Sequence, residues 1–593
     1  MIGRISTALT LSVMVSCAVP PPVPPPAAPI SLSPFRAPAV PLFVQSPYLN
    51  VWLCGDRLAD EAPKLWNGQV KGMAGILKID GKAYRFLGMP TSSLPALRQD
   101  SVRILPTRTV FEFSHEDLKL TLEFLSPMDP RDLRLLSLPV GLLRAEISAT
   151  SPHSVQLYVD ITGEWAVGSS DRRITWDGLF RIRPSQPRLF RETYNYPDWG
   201  EVHWSPVEPA ASTYGVHQDV RNAFTNGGSP QRDTRYPRAA NDDWPVFAHS
   251  WDLGKVQTPV VRRLILGHIR REIVDYFGTV CPAYWTRHYA DGGALVAAVA
   301  SEFESIWTRA AAVDAEVISR AHASGGPPLA CLASLAFRQS FAANELALHG
   351  DQVYYFSKSM DISAPSAIQS LDVLYPASSA LLAFNPALLR MQLAPLLDAL
   401  ARGDWRETFV MEDLGLYPSA TGQSRVAAPR LQATAQLVLL SLMAGAPLPP
   451  ERHLKALPDP VPARGALQAL RGVSRSDLFV DRLLDVTGVP DEEVAREVAA
   501  VRSRAGKYGT PLDPRRPLIH ADALLWTAAI GTPADREAFA SEVMKFYADT
   551  SVRVPAPDRY EGDPRRPSGT QGRPVLGAAF APLLLPPARG SVK

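Results

Sequence analysis

The chain has 593 residues, a formal net charge of +2 and a hydrophobic content of 46%. Its length predicts two or more domains with well-buried cores. Positive and negative residues are mixed throughout the sequence, which argues against a nucleic-acid partner. The four cysteines (Cys17, Cys54, Cys281 and Cys331) match no zinc or redox spacing.

The first 17 residues are predicted to be a signal peptide. Met1–Ser16 combines an early arginine with an apolar stretch and small residues before Cys17. Val15-Ser16-Cys17 resembles a bacterial lipobox, in which the cysteine is lipidated after cleavage. The alternative is an ordinary secretory signal. Either reading predicts a secreted protein or a bacterial cell-envelope lipoprotein, with membrane contact only through an N-terminal lipid anchor.

Residues 18–40 are predicted to be a linker, because Pro20–Pro29 (PPPVPPPAAP) favours a stiff, extended conformation. Residues 41–283 are predicted to form a β-sandwich. Segments such as LKLTLEFLSPMD and SVQLYVDITGEW alternate apolar and polar residues and end in turn-forming residues. Many such segments in succession, without intervening helices, are typical of packed antiparallel sheets.

Residues 284–593 are predicted to be helical. Apolar residues recur at helical spacing in segments such as LASLAFRQSFAANELAL, PALLRMQLAPLLDALA and REAFASEVMKFYADT. So many helices in one domain suggest a toroid of helical hairpins. The fold class is therefore multidomain β plus α.

The segment 354–422 carries the residues with the most chemical meaning. Leu371-Asp372-Val373 and Glu412-Asp413-Leu414-Gly415 flank an apolar helical repeat. Acids on loops between helices are a common way to build a hydrolase site in a helical scaffold. Serine-hydrolase, zincin and nucleotide-binding signatures are missing from the sequence.

A series of motifs in fixed order extends along nearly the whole mature chain. Among them are Phe43-Val44-Gln45-Ser46-Pro47-Tyr48-Leu49, Trp66-Asn67-Gly68, Gly163-Glu164-Trp165, Phe337-Arg338-Gln339-Ser340-Phe341, Leu371-Asp372-Val373-Leu374-Tyr375-Pro376, Tyr417-Pro418-Ser419-Ala420-Thr421-Gly422 and Arg573-Pro574-Val575-Leu576-Gly577. The sequence resembles the glutaminase A family of fungi and bacteria. The resemblance implies an N-terminal β-sandwich, a C-terminal (α/α)6 toroid of the six-hairpin glycosidase type, and extracellular hydrolysis of glutamine to glutamate and ammonia.

The chain departs from the family pattern in one helix. Where the family has a pair of glutamates and an asparagine, this sequence has Gln432, Ala433 and Gln436. Glu412 replaces the histidine that precedes Asp-Leu-Gly. If the family's glutamate pair is catalytic, this chain has either lost activity or relocated its acid, with Glu412 as the nearest replacement. A Glu412 that points away from the cavity would exclude relocation.

Four acids are the catalytic candidates. Asp372 and Asp413 are each either a buried acid with a raised pKa, suited to general acid–base catalysis, or a helix cap. Glu345 is predicted to lie inside a helix, as a catalytic group or in a structural ion pair. Glu412 is the fourth candidate.

Three further residues are candidates for substrate binding. Lys358 could neutralise a substrate carboxylate or simply be solvated. Asp522 precedes an apolar helical run, so it is either an N-cap or a substrate contact. Tyr417, in the Tyr417-Pro418 motif, is the third. No cofactor and no metal are expected.

Three functions remain open, and each takes a small molecule or a glycan as its ligand. The first is a divergent amidohydrolase that acts on glutamine or a similar small amide, which predicts a small polar pocket. The second is a glycoside hydrolase on the same toroid, which predicts aromatic residues and two carboxylates about 5–10 Å apart. The third is a binding protein that has lost the chemistry.

Overall fold

The computed structural model describes residue 32 and residues 34–90, 93–178, 180–230, 232–362, 364–403, 405–424, 431–471, 476–513 and 515–588. The predicted signal peptide, including Cys17, lies outside the described residues. No helix in these ranges is long and apolar enough to cross a membrane.

The first half of the chain consists mainly of strands. They are β1 (Val40–Val44), β2 (Asn50–Leu53), β3 (Lys64–Leu65), β4 (Met73–Ile79), β5 (Lys82–Leu87), β6 (Arg98–Ile104), β7 (Arg108–His115), β8 (Leu118–Leu125), β9 (Val140–Ser148), β10 (His153–Thr162), β11 (Arg173–Trp176), β12 (Arg181–Pro184), β13 (Glu192–Thr193), β14 (Tyr196–Pro197), β15 (Glu201–Pro206), β16 (Ala211–Val216), β17 (Arg238–Ala239), β18 (Pro245–Val256), β19 (Val260–Ile269), β20 (Glu272–Tyr276) and β21 (Thr279–Pro282). Two short helices, α1 (Leu133–Leu136) and α2 (His217–Asn226), and the 3-10 turns Gly163–Ala166 and Tyr284–Arg287 interrupt them.

Two antiparallel sheets form the predicted sandwich. One has the strand order β16-β18-β10-β4-β5 and the other the order β17-β11-β12-β15-β19-β9-β8-β7-β6. Leu118, Leu120 and Leu122 alternate along β8 and are fully buried. Aromatic rings join the two sheets, since Phe86 of β5 lies 6.2 Å from Phe113 of β7 between ring centroids.

The second half of the chain consists mainly of helices. Its elements are α3 (Gly292–Ser301), α4 (Phe303–Phe341), β22 (Asn344–His349), β23 (Gln352–Ser357), α5 (Leu371–Phe384), α6 (Pro386–Ala401), β24 (Gly415–Leu416), β25 (Ser419–Ala420), α7 (Leu431–Ala444), α8 (Glu451–Leu454), α9 (Pro462–Leu470), α10 (Ser476–Leu484), α11 (Asp491–Arg502), β26 (Leu518–His520), α12 (Ala521–Ala529), α13 (Pro533–Asp549), β27 (Arg559–Glu561), β28 (Arg566–Pro567) and the 3-10 segment Pro574–Leu583.

The helices pack around the buried segment Pro574–Leu583. Phe580 of this segment contacts Phe384 of α5 and Phe337 of α4 at ring-centroid distances of 5.1 and 6.2 Å. Gly577 lies so close to α5 that an added Cβ would fall 2.8 Å from the Ala377 carbonyl oxygen. The strand-rich half followed by the helical half confirms the predicted fold class.

The predicted helix around Glu345 is wrong. Helix α4 ends at Phe341, and Glu345 lies on β22, which pairs with β23. The run ELAL is short and apolar, and such runs do not distinguish a helix from a strand by periodicity. Pairing with Gln352–Ser357 decides the conformation.

A small sheet joins the two halves and holds the loop after α6. Strand β25 pairs in parallel with β20, so that Ser419 lies opposite Asp275. The preceding residues are fastened to the start of α5, because Leu371 N–H donates to the Glu412 carbonyl at 2.9 Å. The loop that carries Glu412 and Asp413 is thereby fixed beside Asp372.

Candidate active site

A cavity of about 300 Å³ lies where the start of α5, the loop before β24 and helix α7 meet. This volume is at the lower end of the range for small-molecule sites. Its described lining residues are Asp361, Ala364, Pro365, Ala367, Ser370, Leu371, Asp372, Val373, Glu412, Asp413, Leu416, Ser424, Gln432, Ala433 and Gln436. Three of the four predicted catalytic acids therefore share one cavity.

Asp372 lies in the first turn of α5, and its side chain is exposed. The N-cap residue is Ser370, whose hydroxyl donates to Asp372 Oδ1. Both predicted alternatives for Asp372 are therefore wrong, because its side chain is not buried and the N-cap residue is Ser370. A carboxylate at a helix N-terminus is stabilised by the helix dipole.

Asp413 is the buried acid of the cavity, with 7% of its surface exposed. Its Oδ1 accepts hydrogen bonds from Gly415 N–H at 2.9 Å and from Ser424 N–H at 2.7 Å, and its Oδ2 accepts one from the Ser424 hydroxyl at 2.9 Å. Burial nevertheless raises the pKa of Asp413, and the negative charge of Asp372 raises it further. This combination favours an acid that keeps its proton.

Glu412 is half-buried and is one of the lining residues. Its N–H donates to Gln423 Oε1 at 2.9 Å, and its carbonyl accepts a hydrogen bond from Leu371 N–H at 2.9 Å. Both polar groups of its backbone are therefore held in place. Glu412 lines the cavity, and its role as a relocated acid stays a prediction.

Helix α7 forms the wall that differs from the family pattern. Gln432, Ala433 and Gln436 all line the cavity, so the replaced glutamates and asparagine of the resemblance correspond to cavity positions. Gln436 is only 6% exposed. The helix is tied to the opposite loop, since Val410 N–H donates to the Thr434 hydroxyl at 3.1 Å.

Glu345, Lys358 and Tyr417 come together outside the described cavity lining, in a buried network between the two halves. Arg270 and the Tyr417 hydroxyl both donate to the Glu345 carboxylate. Lys358, fully buried, donates to Glu192 of β13. Burial lowers the pKa of Lys358, and the charge of Glu192 opposes that shift.

The aromatic rings of Tyr48 and Tyr417 complete this network. Lys358 Nζ lies 4.9 Å from the Tyr48 ring centroid and 5.2 Å from that of Tyr417. The positive and negative charges balance inside the protein, which is how buried charges are normally tolerated. Tyr417 follows Leu416, so the network lies directly behind the cavity rim.

Asp522 lies in a third place, the first turn of α12. The prediction that it is the N-cap is wrong, because His520 occupies that position. Burial, followed by the charge of Asp558, raises the pKa of Asp522 to about 6. Arg573 connects this region to the cavity, since its Nη2 lies 3.3 Å from Asp558 and its Nη1 lies 3.6 Å from Asp361 of the lining.

Asp361, Ser424 and Arg573 are site residues that the sequence analysis did not select. Asp361 accepts a hydrogen bond from the Ser359 hydroxyl at 2.6 Å, and Arg573 is 4% exposed. Arg573 stands in one of the motifs that carry the resemblance. A single arginine next to an apolar segment was the feature of the sequence that could have identified it as a site residue. Ser424 had no such signal, because only the folded loop brings it to Asp413.

The lining can act as an acid and a base toward one bound group. Asp413 is suited to hold a proton, and Asp372 and Glu412 line the same cavity. Within the described ranges, no cluster of three or more His, Cys, Asp or Glu side chains is arranged to hold a metal ion.

Family models match three parts of the chain. A domain of unknown function, DUF4964, matches residues 27–98, and another, DUF5127, matches residues 107–320. The glutaminase A six helical-hairpin domain matches residues 326–446 and 474–583, which include the whole described cavity lining.

Curated relatives agree with this match. Glutaminase A of Aspergillus oryzae is 26% identical over 94% of this chain and 97% of its own length. The chain belongs to the glutaminase A family, as a divergent member. A probable glutaminase of Arthroderma benhamiae is 25% identical over 65% of this chain and 49% of its own length. The resemblance inferred from the motifs is thereby confirmed.

One solved structure of another family is also similar. A glycosyl hydrolase of the gh92 family is 10% identical over 78% of this chain and 60% of the solved chain, with a TM-score of 0.31. A score this low carries no argument about function.

Proposed function

We propose that this member of the glutaminase A family is an extracellular amidohydrolase, secreted or lipid-anchored, that releases ammonia from glutamine or a similar small amide. The single observation that carries the proposal is the meeting of Asp372, Glu412 and the buried Asp413 in one cavity of about 300 Å³. The curated relatives named glutaminases support the reaction class.

Amide hydrolysis without a metal needs a base to activate water and an acid to protonate the leaving nitrogen. Asp413 is the proposed acid, because burial and the charge of Asp372 raise its pKa, which favours the protonated form that the leaving nitrogen needs. Asp372 is the proposed base, since its exposed carboxylate can take a proton from the attacking water. Water adds to the carbonyl carbon, the C–N bond breaks, and a carboxylic acid and ammonia leave.

The experiment is a measurement of ammonia release from L-glutamine by the protein without the residues before Ser31. Asp372→Asn is expected to lower kcat by about 10²–10⁴-fold, the usual contribution of an acid–base group. Asp219→Asn is the matched control, because Asp219 is also an exposed aspartate in the first turn of a helix. Equal losses in the control, or no release by the parent, would contradict the proposal.

A non-catalytic binding protein is the second candidate. The observation that favours it is the wall formed by α7, where Gln432 and Ala433 bring no carboxylate to the cavity. The discriminating variant is Gln432→Glu, which changes charge with almost no change in size. If the parent is inactive and this variant gains ammonia release, the binding protein is the correct description of the parent. The described lining contains no aromatic residue to stack on a sugar, so the glycosidase has less support.

A further inference from the structure

Three exposed apolar side chains lie on segments that meet beside the cavity. Tyr194 of the turn between β13 and β14 is 74% exposed, Ile362 is 37% exposed and Leu416 is 45% exposed. Leu416 belongs to the cavity lining, and Ile362 directly follows Asp361, which also belongs to it. We call Tyr194, Ile362 and Leu416 the apolar rim. Exposed apolar side chains next to a concave site are typical of a surface that contacts a ligand.

The fully buried Ser366 joins the three segments that carry the apolar rim. Its hydroxyl donates to Asn195 Oδ1 at 3.2 Å and accepts a hydrogen bond from Asp361 N–H at 3.1 Å. Its carbonyl accepts a hydrogen bond from Tyr417 N–H at 2.9 Å. Each partner is the chain neighbour of one rim residue, since Tyr194 precedes Asn195, Ile362 follows Asp361 and Leu416 precedes Tyr417. The apolar rim is therefore anchored around one serine, whose chain neighbours on both sides line the cavity.

Tyr194 adopts a backbone conformation that does not suit its residue type. Tyr194 and Asn195 form a two-residue hairpin turn, in which their φ angles are 53° and 62°. Such turns favour asparagine and glycine, and a bulky side chain at positive φ is strained. The turn is also held from its other side, because the carboxamides of Asn67 and Gln69 each donate to the Tyr194 carbonyl at 2.8 Å. A strained position that keeps an exposed aromatic ring points to a functional contact of that ring.

We propose that the apolar rim binds an apolar or aromatic group of the substrate, so that the protein favours glutamine derivatives that carry such a group at the end away from the carboxamide. This inference rests on the proposed function, because it places the carboxamide beside Asp413 in the same cavity. Leu416 belongs to both surfaces, and a substrate that extends out of the cavity past Leu416 comes to the segments of Ile362 and Tyr194. The contact requires no charge on the added group.

Two probes that differ by one ring test the preference. N-Acetyl-L-glutamine and N-phenylacetyl-L-glutamine carry the same carboxamide and the same carboxylate. Their affinities for the parent protein are measured by isothermal titration, or as KM if the protein hydrolyses them. The phenylacetyl probe is expected to bind about tenfold more tightly, because part of its ring is buried against the rim. Equal affinities, tighter binding of the acetyl probe, or no binding of either below about 10 mM would overturn the proposal.

The variant Tyr194→Gly tests the aromatic contact without disturbing the turn. Glycine adopts positive φ without strain, so the variant should fold with a Tm close to that of the parent. It is expected to weaken the phenylacetyl probe about fivefold or more and to leave the acetyl probe unchanged. Val461→Ser is the control, because Val461 is also an exposed apolar residue but lies outside the lining. A Tyr194→Gly protein that keeps the full preference would overturn the proposal.

Two further measurements separate the remaining explanations. If size-exclusion chromatography shows a dimer of the parent that Tyr194→Gly dissociates, and the two probes bind equally, the rim is a contact between copies of the chain and the proposal is wrong. Ammonia release from both probes is recorded separately from binding. The expected preference without any release would support the rim and reject the hydrolase. Release from both probes with equal affinities would reject the rim and leave the hydrolase standing.

Discussion

Asp413 combines a buried position, three hydrogen bonds and a proposed catalytic proton. Asparagine at this position keeps an acceptor for both backbone N–H groups but cannot release a proton. We therefore expect Asp413→Asn to lower kcat for ammonia release by about 10²–10⁴-fold. Because the parent's acid must be protonated, its activity should fall as pH rises through the raised pKa, and this limb should disappear in any residual activity of the variant.

Stability separates this catalytic role from a purely structural one. The pKa of Asp413 is raised in the folded state, so its contribution to stability is complete below the pKa of an unfolded aspartate, about 3.9, and is lost as pH rises through the folded pKa. As pH rises from about 3.9 through the folded pKa, the Tm of the parent should therefore fall relative to the Tm of Asp413→Asn. A variant that melts far below the parent at every pH would assign Asp413 to folding.

At the scale of elements, the network of Lys358 and Glu192 connects β23 to β13 across the two halves. Lys358→Met leaves the half-buried Glu192 without its cation, and we expect a loss of about 3 kcal/mol in the free energy of unfolding. The double variant Lys358→Met with Glu192→Gln should recover much of that loss, because no unpaired charge remains. Chemical denaturation of the single and double variants gives the coupling energy.

The same variants test the predicted role of Lys358 in substrate binding. A lysine that acts only inside this network should change stability and leave the KM for a small amide unaltered. A large rise in KM in the stable double variant would instead restore the sequence-based role.

The sequence predicted the secondary-structure elements better than it predicted which side chains contact one another. Alternating strands such as β8 were sufficient to predict the sandwich, and the motifs around Asp372 and Asp413 identified three acids that line the cavity. Glu345 and Lys358 could not be placed, because their counter-charges, Arg270 and Glu192, lie 75 and 166 residues away in the chain. Contacts of this kind are set by packing, which no local pattern records.

A histidine joins turns of the two large sheets at one end of the sandwich. His153 of β10 contacts Asp80 after β4 at 2.6 Å and Asp117 after β7 at 2.7 Å. These hydrogen bonds raise the pKa of His153, so its contribution to stability is complete below the unfolded value of about 6.5 and is lost as pH rises through the folded pKa. The pKa of Asp80 is lowered chiefly by His153, so its contribution disappears as pH falls below about 4.

We therefore expect His153→Gln to lower Tm most at about pH 5–6 and little at about pH 9, as measured by thermal melting across that range. His288→Gln is the control, because this histidine is exposed and near the end of the strand-rich half. A loss of stability in His153→Gln that does not vary with pH would mean that packing, and not charge, explains the effect.

At the scale of the whole molecule, helix α4 belongs to both halves. Its first part is fastened to the sandwich, since Arg309 Nε donates to Asp129 at 2.6 Å and Asp314 accepts from Thr107 N–H at 2.6 Å. The helix then breaks at Gly325 and Gly326, where Gly326 adopts a φ of 71° ahead of two prolines. The match to DUF5127 ends at residue 320 and the match to the six helical-hairpin domain begins at residue 326. The sequence analysis instead predicted a domain boundary at 283/284.

These contacts predict where the strand-rich half can be cut from the helical half. A fragment of residues 34–324 keeps α3 and the first part of α4, and so retains the partners of Asp129 and Thr107. A fragment of residues 34–283 loses both and exposes the sheet face that they cover. We expect the longer fragment to be monomeric by size-exclusion chromatography with a cooperative thermal transition, and the shorter one to aggregate or to melt at a lower temperature. A shorter fragment that is as stable as the longer one would instead support the boundary at 283/284, because the helix would then add nothing to the sandwich.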